Sequence, residues 1–305
     1  MENLYNSLYD DNDVFLNLEL SVIEKNSGQR DLNSLSRYFN FEDYISTSKS
    51  LGNNHYNVIH INIRSLHKNF DLLKSFLNGL PKPPDIIAIT ETWLQEHNKH
   101  LYSLEGYDSH HLMRTEREHG GISIFTNNML RTDLLKQFCY INEDIEICTS
   151  KLTIGDLNYV LAVIYRPNSK HIGVNEFTSV ISEMLNNDIF RLNKSLLIGD
   201  FNINLLEHST HVPTNLFLNT MQTLNYFPHI SRPTRFPDTP ELGQPSLLDQ
   251  IWTNFTPSSL SGILHYCISD HLPIFIDINQ QFKHNTKHKI NFRVFNTNNH
   301  NLFYK

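Results

Sequence analysis

An α/β protein is predicted, a sandwich of two packed mixed β-sheets with helices outside. Three observations in the 305 residues carry that expectation. Short apolar runs recur along the chain and stop abruptly at polar residues, as strands covered on both faces do. Stretches with helical spacing separate them. Each half is rich in such runs and holds only one or two helices, which suits sheet-on-sheet packing with the helices outermost.

Residues 1–54 are polar and weakly periodic, with Ser/Asn-rich breaks between Val14-Phe15-Leu16 and Tyr38-Phe39-Asn40-Phe41, and are expected to be a loosely ordered leader. Order is expected from 56–63, a strand of mostly apolar alternation. Phe70, Leu73, Leu77 and Leu80 predict a helix over about 67–79, ended by Pro81 and Pro83. A second strand, 85–90, runs directly into Glu91-Thr92-Trp93, and Gly120-Gly121 opens a third at 122–125. Residues 145–154 and 159–165 flank Gly155-Asp156-Leu157-Asn158, a hairpin signature, and lead into Arg166-Pro167.

A helix over 175–185 places Phe177, Val180, Ile181 and Met184 on one face. The apolar run Ser195-Leu196-Leu197-Ile198 then ends in Gly199-Asp200-Phe201-Asn202, delivering a carboxylate and an amide to its exit loop. A helix near 214–224, a Pro/Gly-rich loop over 237–245 and strands at 246–252 and 272–278 complete the domain, taken as 55–280. The remaining 281–305 are polar and basic and read as a tail or linker.

Composition narrows the function. With 39 % hydrophobic and 19 % charged residues, the chain has no disorder-like charge excess. Its net charge of −7 gives no global footprint for nucleic acid, so polyanion binding requires a local patch. Cys139, Cys148 and Cys267 form no C-x-x-C pair, which argues against a zinc site or a disulfide framework and fits a reducing, intracellular setting. The acidic start lacks the apolar core of a signal peptide, and no run of 18 apolar residues is present to span a membrane.

The strand ends carry the chemistry: Asn62, Glu91, Tyr165, Asp200 with Asn202, Asp249, and Asp270-His271. Glu91, Asp200 and Asn62 are hard oxygen donors of the kind Mg²⁺ accepts, and no Cys or His cluster competes for a softer metal. His271 stands beside a strand start, and Asp249 offers a carboxylate to fix its tautomer. Such a set suits attack of water on a phosphodiester. Each residue also has an ordinary reading: a turn amide, a solvated acid, a core ring, a capping aspartate. Asp249 resists it, because an acid within an apolar strand needs a partner. Arg64, Arg114, Arg117, Arg166, Arg232 and Arg235 are expected in loops near the same place, where guanidinium groups suit phosphate.

In sequence order, Asn62-Ile63-Arg64-Ser65-Leu66, Thr90-Glu91-Thr92-Trp93-Leu94, Tyr165-Arg166-Pro167, Gly199-Asp200-Phe201-Asn202, Leu248-Asp249-Gln250-Ile251 and Ser269-Asp270-His271-Leu272-Pro273 resemble the endonuclease/exonuclease/phosphatase superfamily. The likeness covers about 57–280 and is greatest to the apurinic-type endonuclease domain of LINE-type (non-LTR) retrotransposons. It implies a four-layer, DNase I-like sandwich and a Mg²⁺ cofactor, with Mn²⁺ as a substitute. By the resemblance, Glu91 and Asn62 hold the metal with Asp270 beside it, while Asp200 and Asn202 orient or activate the water. Tyr165 and His271 contact the scissile phosphate, Asp249 orients His271, and Arg64, Arg166, Thr234, Arg235 and Ser269 face phosphate or DNA. The loop over 235–245 shapes target choice.

Repair-type relatives carry an acid where this chain has Arg64, which favours the retrotransposon branch over abasic-site repair. The implied activity is DNA nicking to a 3′-hydroxyl and a 5′-phosphate by a monomer acting in the nucleus. In a full element a downstream reverse transcriptase would extend from that hydroxyl; no Tyr-x-Asp-Asp signature is present here. The alternatives are another phosphodiesterase or phosphatase on the same scaffold, an RNA nuclease, or an inactive nucleic-acid-binding remnant.

Overall fold

The computed structural model describes residues 36–50, 55–115, 119–154, 157–168, 171–237, 239, 243–256 and 260–279. The first half comprises β1 (Arg37–Phe39), α1 (Phe41–Ser50), β2 (His55–Asn62), α2 (Leu66–Gly79), β3 (Ile86–Thr90), β4 (Tyr107–Leu112), β5 (Ile122–Asn127), β6 (Arg131–Leu134) and β7 (Tyr140–Ile141). The second comprises β8 (Glu146–Ile154), β9 (Leu157–Tyr165), α3 (Val174–Leu185), α4 (Asp188–Arg191), β10 (Lys194–Asp200), α5 (Val212–Thr223), β11 (Phe227–Pro228), β12 (Asp249–Thr253), β13 (Ser261–Leu264) and β14 (Ile274–Asn279).

Two mixed sheets result. One has the order β1-β13-β14-β2-β3-β5-β4; the other has β11-β12-β10-β9-β8-β6, with β7 also on β8. Strand alternation sorts the side chains. Val58 of β2 packs between the sheets with Ile86, Ala88, Val163 and Ile198. Its neighbours Ile59 and Ile61 point the other way, against Leu66, Leu73 and Phe76 of α2. Helix α2 starts where the Ser65 side chain accepts the Lys68 N–H, and it stops at Leu80, extended ahead of Pro81. On the far side of the second sheet, Phe177, Phe201 and Phe217 lie within about 6 Å of one another and Phe217 meets Trp252 edge-on. Burying each such ring stabilises the layer by roughly 2–3 kcal/mol.

The layers are therefore helix, sheet, sheet and helix, as expected. Parallel pairs β2/β3 and β9/β10 are joined by helical crossovers, so all four strands exit at one end of the sandwich. Among the described residues no helix is long and apolar enough to cross a membrane.

Several expectations are corrected. The leader assigned to 1–54 includes structure: β1 pairs in parallel with β13, and Phe39 and Tyr44 are buried. Residues 1–35, 51–54 and the tail 281–305 lie outside the described residues. Strand β4, with the sequence YDSHHL, is polar because it is an edge strand half open to solvent, so its pattern did not reveal it. The strands expected from 246 and 272 begin at Asp249 and Ile274. The preceding residues are drawn off by bonds to loops, such as Leu247 N–H to Asn204 and Leu272 N–H to Thr234.

Candidate active site

One rung of the second sheet carries four polar residues side by side. Glu146 of β8 faces Tyr165 of β9, which faces Asp200 of β10, which faces Asp249 of β12. On the first sheet Asn62 ends β2 beside Thr90, the residue before Glu91. The two sheets meet through Asn62, whose buried amide donates to Glu91 Oε1 at 2.9 Å and to Asp200 Oδ2 at 2.8 Å.

Backbone strain marks the same end. Five of the six described non-glycine residues with positive φ follow these strand exits: Arg64 (46°), Ser65 (88°), Glu91 (53°), Trp93 (54°) and Asn202 (47°). Each such conformation costs about 1–3 kcal/mol and persists only where surrounding bonds enforce it. Here Ser65 and Leu66 N–H donate to the carbonyls of Glu91 and Thr92, and Asn202 N–H donates to Asp200 Oδ1 at 2.9 Å. Gly199 (φ 153°) lets β10 press onto β9, because a Cβ there would overlap the Ile164 carbonyl. That close approach sets Asp200 beside Tyr165.

His271 Nδ1 donates to Asp249 Oδ2 at 2.8 Å, and the Thr234 hydroxyl donates to the same oxygen at 2.7 Å. His271, Asp249 and Thr234 are all almost wholly buried. Burial, the largest single influence, would discharge His271, but the charge and hydrogen bond of Asp249 with the charges of Asp200 and Asp270 together outweigh it and hold His271 up at about 9. Burial would likewise raise Asp249, yet His271 keeps it below the usual carboxylate range. Asp200 is pushed up to about 7, first by burial and then by Asp249. Tyr165 is driven far above the usual phenol range, by burial and then by Glu91 and Asp200, and its hydroxyl donates to Glu91.

The donor chemistry fits a divalent cation. Glu91, Asp200 and the Asn62 amide supply hard oxygens across one amide's span, and Asp200 is a buried carboxylate that a cation would stabilise in its charged form. Asp200, Asp249 and His271 also bring ligand-type atoms within 4.8 Å of one another. Asp249 Oδ2 is spent on His271 and Thr234, which leaves Glu91 and Asn62 as the better holders.

Some expected contacts are placed otherwise. Thr234 is fully buried, with its hydroxyl donating to Asp249 Oδ2. Ser269 donates to the Asn62 carbonyl at 2.6 Å and tethers that strand end. Arg166 is buried: its guanidinium donates to the carbonyls of Asn202 and Ile172 and lies over Phe177, which braces the loop. Asp270 sits between Arg64 Nη1 (2.9 Å) and Arg235 Nε (3.0 Å) as their counter-ion. Arg114 pairs with Glu146, and Arg232 lies 5.9 Å from the Tyr38 ring centre. Arg117, Asp238 and residues 240–242 of the target-choice loop lie outside the described residues.

Sequence reasoning missed His60 and Glu146. His60 is buried between the sheets, its Nε2 at 3.0 Å from the Thr90 hydroxyl and its Nδ1 at 3.6 Å from Asp249 Oδ1. Burial pushes it down to about 4, so it is neutral. Glu146 accepts the Gly121 N–H and the Arg114 guanidinium and is pushed up to about 7, chiefly by burial. An acid inside the apolar run Ile145-Glu146-Ile147 was the available signal, the argument already applied to Asp249.

Among curated protein sequences none matches the chain. Three solved structures share its fold. An AP endonuclease from Leishmania major is 15 % identical with a TM-score of 0.61, over 85 % of this chain and 98 % of that one. The endonuclease domain of TRAS1, a telomere-specific non-LTR retrotransposon, is 12 % identical with a TM-score of 0.57, over 75 % and 100 %. The 3′ phosphatase NExo from Neisseria, bound to a product DNA hairpin, is 14 % identical with a TM-score of 0.53, over 74 % and 100 %. These likenesses establish the DNase I-like sandwich. The endonuclease/exonuclease/phosphatase family profile matches residues 59–271, from β2 through every strand end described above to His271, and the chain belongs to that family.

Proposed function

We propose that the protein is a Mg²⁺-dependent endonuclease that nicks DNA to a 3′-hydroxyl and a 5′-phosphate, as in target-site cleavage by a non-LTR retrotransposon. One observation carries the reading: the Asn62 amide joins Glu91 of one sheet to Asp200 of the other, beside the His271–Asp249 pair. A nuclease or phosphatase chemistry follows from the family; the DNA substrate and the ion are inferred.

Glu91 and Asn62 would hold the cation. When bound, the ion supplies charge neutralisation at the scissile phosphate. Asp200, at about 7, accepts a proton from the attacking water near neutral pH, and Asn202 N–H keeps its carboxylate oriented. His271, charged at neutral pH, stabilises the growing negative charge on a non-bridging oxygen. Tyr165 keeps its proton and serves as a hydrogen-bond donor. Arg64 and Arg235 flank Asp270, partly exposed, and reach neighbouring DNA phosphates. Arg64 in place of the repair-type acid, with the Thr90-Glu91-Thr92-Trp93 and Tyr165-Arg166-Pro167 runs, supports the retrotransposon branch. The likeness to the TRAS1 domain supports it through the fold.

The test is nicking of supercoiled plasmid with Mg²⁺, with Mn²⁺, and with chelator, the nicks mapped to the nucleotide. Chelator is expected to abolish nicking, Mn²⁺ to replace Mg²⁺, and Asp200→Ala or His271→Ala to lower the rate at least about 100-fold. Absence of metal-dependent nicking, or indifference to both substitutions, would falsify the proposal. Faster turnover of RNA or inositol phosphates would reassign the substrate. Salt-dependent DNA binding without turnover would mark an inactive remnant.

A further inference from the structure

A cavity of about 370 Å³ is lined by His110 and His111 of the edge strand β4 and by Cys139 and Cys148. None of the residues assigned to phosphate chemistry lines it. The cysteines are not neighbours in sequence, but the ladder aligns them. Tyr140 pairs with Ile147 and Ile141 with Glu146, so one step further the antiparallel register sets Cys139 opposite Cys148. Directly opposed residues in such a ladder have Cα atoms about 4.5 or 5.5 Å apart, inside the roughly 4.4–6.8 Å span that a disulfide bridges. Opposed residues also share a face, and both cysteines line the same cavity.

We propose that Cys139 and Cys148 are a reversible oxidation site, a cross-strand dithiol that small hydroperoxides entering this cavity convert to a disulfide. Cys139, half-buried, is the attacking sulfur, and Cys148, buried beneath it, resolves the product. The Cys139 sulfur also receives the Thr149 N–H at 3.4 Å. The neighbouring Cys148 thiol and that N–H together pull Cys139 below the usual thiol range against the effect of burial, which raises its share of the reactive thiolate.

The steps balance. The Cys139 thiolate attacks the terminal peroxide oxygen and breaks the O–O bond; the alkoxide or hydroxide released takes up a proton, leaving a sulfenic acid. Cys148 then attacks that sulfur, the sulfenic oxygen leaves as water with the Cys148 proton, and the S–S bond forms. Two thiols lose two electrons in all and the peroxide gains them. A thiol reductant reverses the change by exchange.

The experiment exposes the full chain to hydrogen peroxide, caps residual thiols with N-ethylmaleimide and digests after acidic residues, cutting at Glu143 and Glu146 between the two cysteines. Mass spectrometry without reductant is expected to show the Cys139 and Cys148 peptides joined, Cys267 capped, and the link undone by dithiothreitol. Cys148→Ser is expected to stop at the sulfenic acid and yield a dimedone adduct on Cys139, whereas Cys139→Ser leaves Cys148 unoxidised. A dimedone adduct on Cys139 in the unaltered chain, or oxidation confined to the exposed Cys267, overturns the proposal. No nuclease measurement enters, so the result is independent of the function proposed above.

Discussion

His271 donates from Nδ1 to Asp249 Oδ2 at 2.8 Å, in a place that solvent hardly reaches. That bond orients the charged ring and, in the proposed mechanism, leaves the Nε2–H to face the scissile phosphate. Asp249→Asn keeps the shape and removes the charge. It is expected to lower the nicking rate by about two to four orders of magnitude while DNA binding and the circular dichroism spectrum hold. A variant as active as the parent would remove Asp249 from the mechanism.

His60 approaches the other Asp249 oxygen at 3.6 Å, and neither atom has another hydrogen-bond partner. A neutral imidazole there steadies the carboxylate from behind through a chain that runs on to Thr90. Replacing it with leucine trades a poorly paired buried polar group for an apolar one. His60→Leu is expected to reduce turnover roughly tenfold with thermal stability unchanged or improved. Loss of activity matched by loss of stability would give His60 a packing role only.

Gly199 has no room for a methyl group between β10 and the Ile164 carbonyl. Gly199→Ala should force the two central strands apart at the rung that carries Asp200. The expected cost is about 1–3 kcal/mol in urea unfolding, with activity falling further than stability accounts for. An alanine variant of parental stability would show that the strands can yield.

Stability should also depend on pH at the far end of the first sheet. Asp277 is held up at about 6, against 3.8 for the free group, mainly by burial. The folded chain thus keeps a proton that the unfolded chain loses. The stabilisation is full below about pH 4 and is lost as pH rises through about 6. Asp277→Asn preserves the oxygen that accepts from Asn57 and removes the buried charge. The variant is expected to gain on the order of 3 kcal/mol over the parent at pH 7 and little at pH 4. Equal slopes between pH 4 and 7 in chemical denaturation would contradict the assignment.

Much of this was legible in the residues. Strands covered on both faces read as apolar runs, so a polar residue at their exits stands out, and Asn62, Glu91, Asp200 and Asp249 were found that way. What pattern could not supply was pairing across long separations. Strand β1 has three residues and owes its form to β13, more than 200 positions later. Arg166 and Thr234 read as phosphate ligands from the motifs around them; only the packed loops show their polar atoms bonded within the protein. His60 sits in an apolar alternation, where a histidine looks like any other core residue.

Half of the reactive centre comes from each sheet, and a single carboxamide stitches the halves together. A nascent or partly melted chain with one sheet formed would bring Glu91 without Asp200, or the reverse. If the proposed chemistry holds, competence to cut arrives only with the last stage of assembly and departs first on loosening, so activity would report the integrity of the molecule.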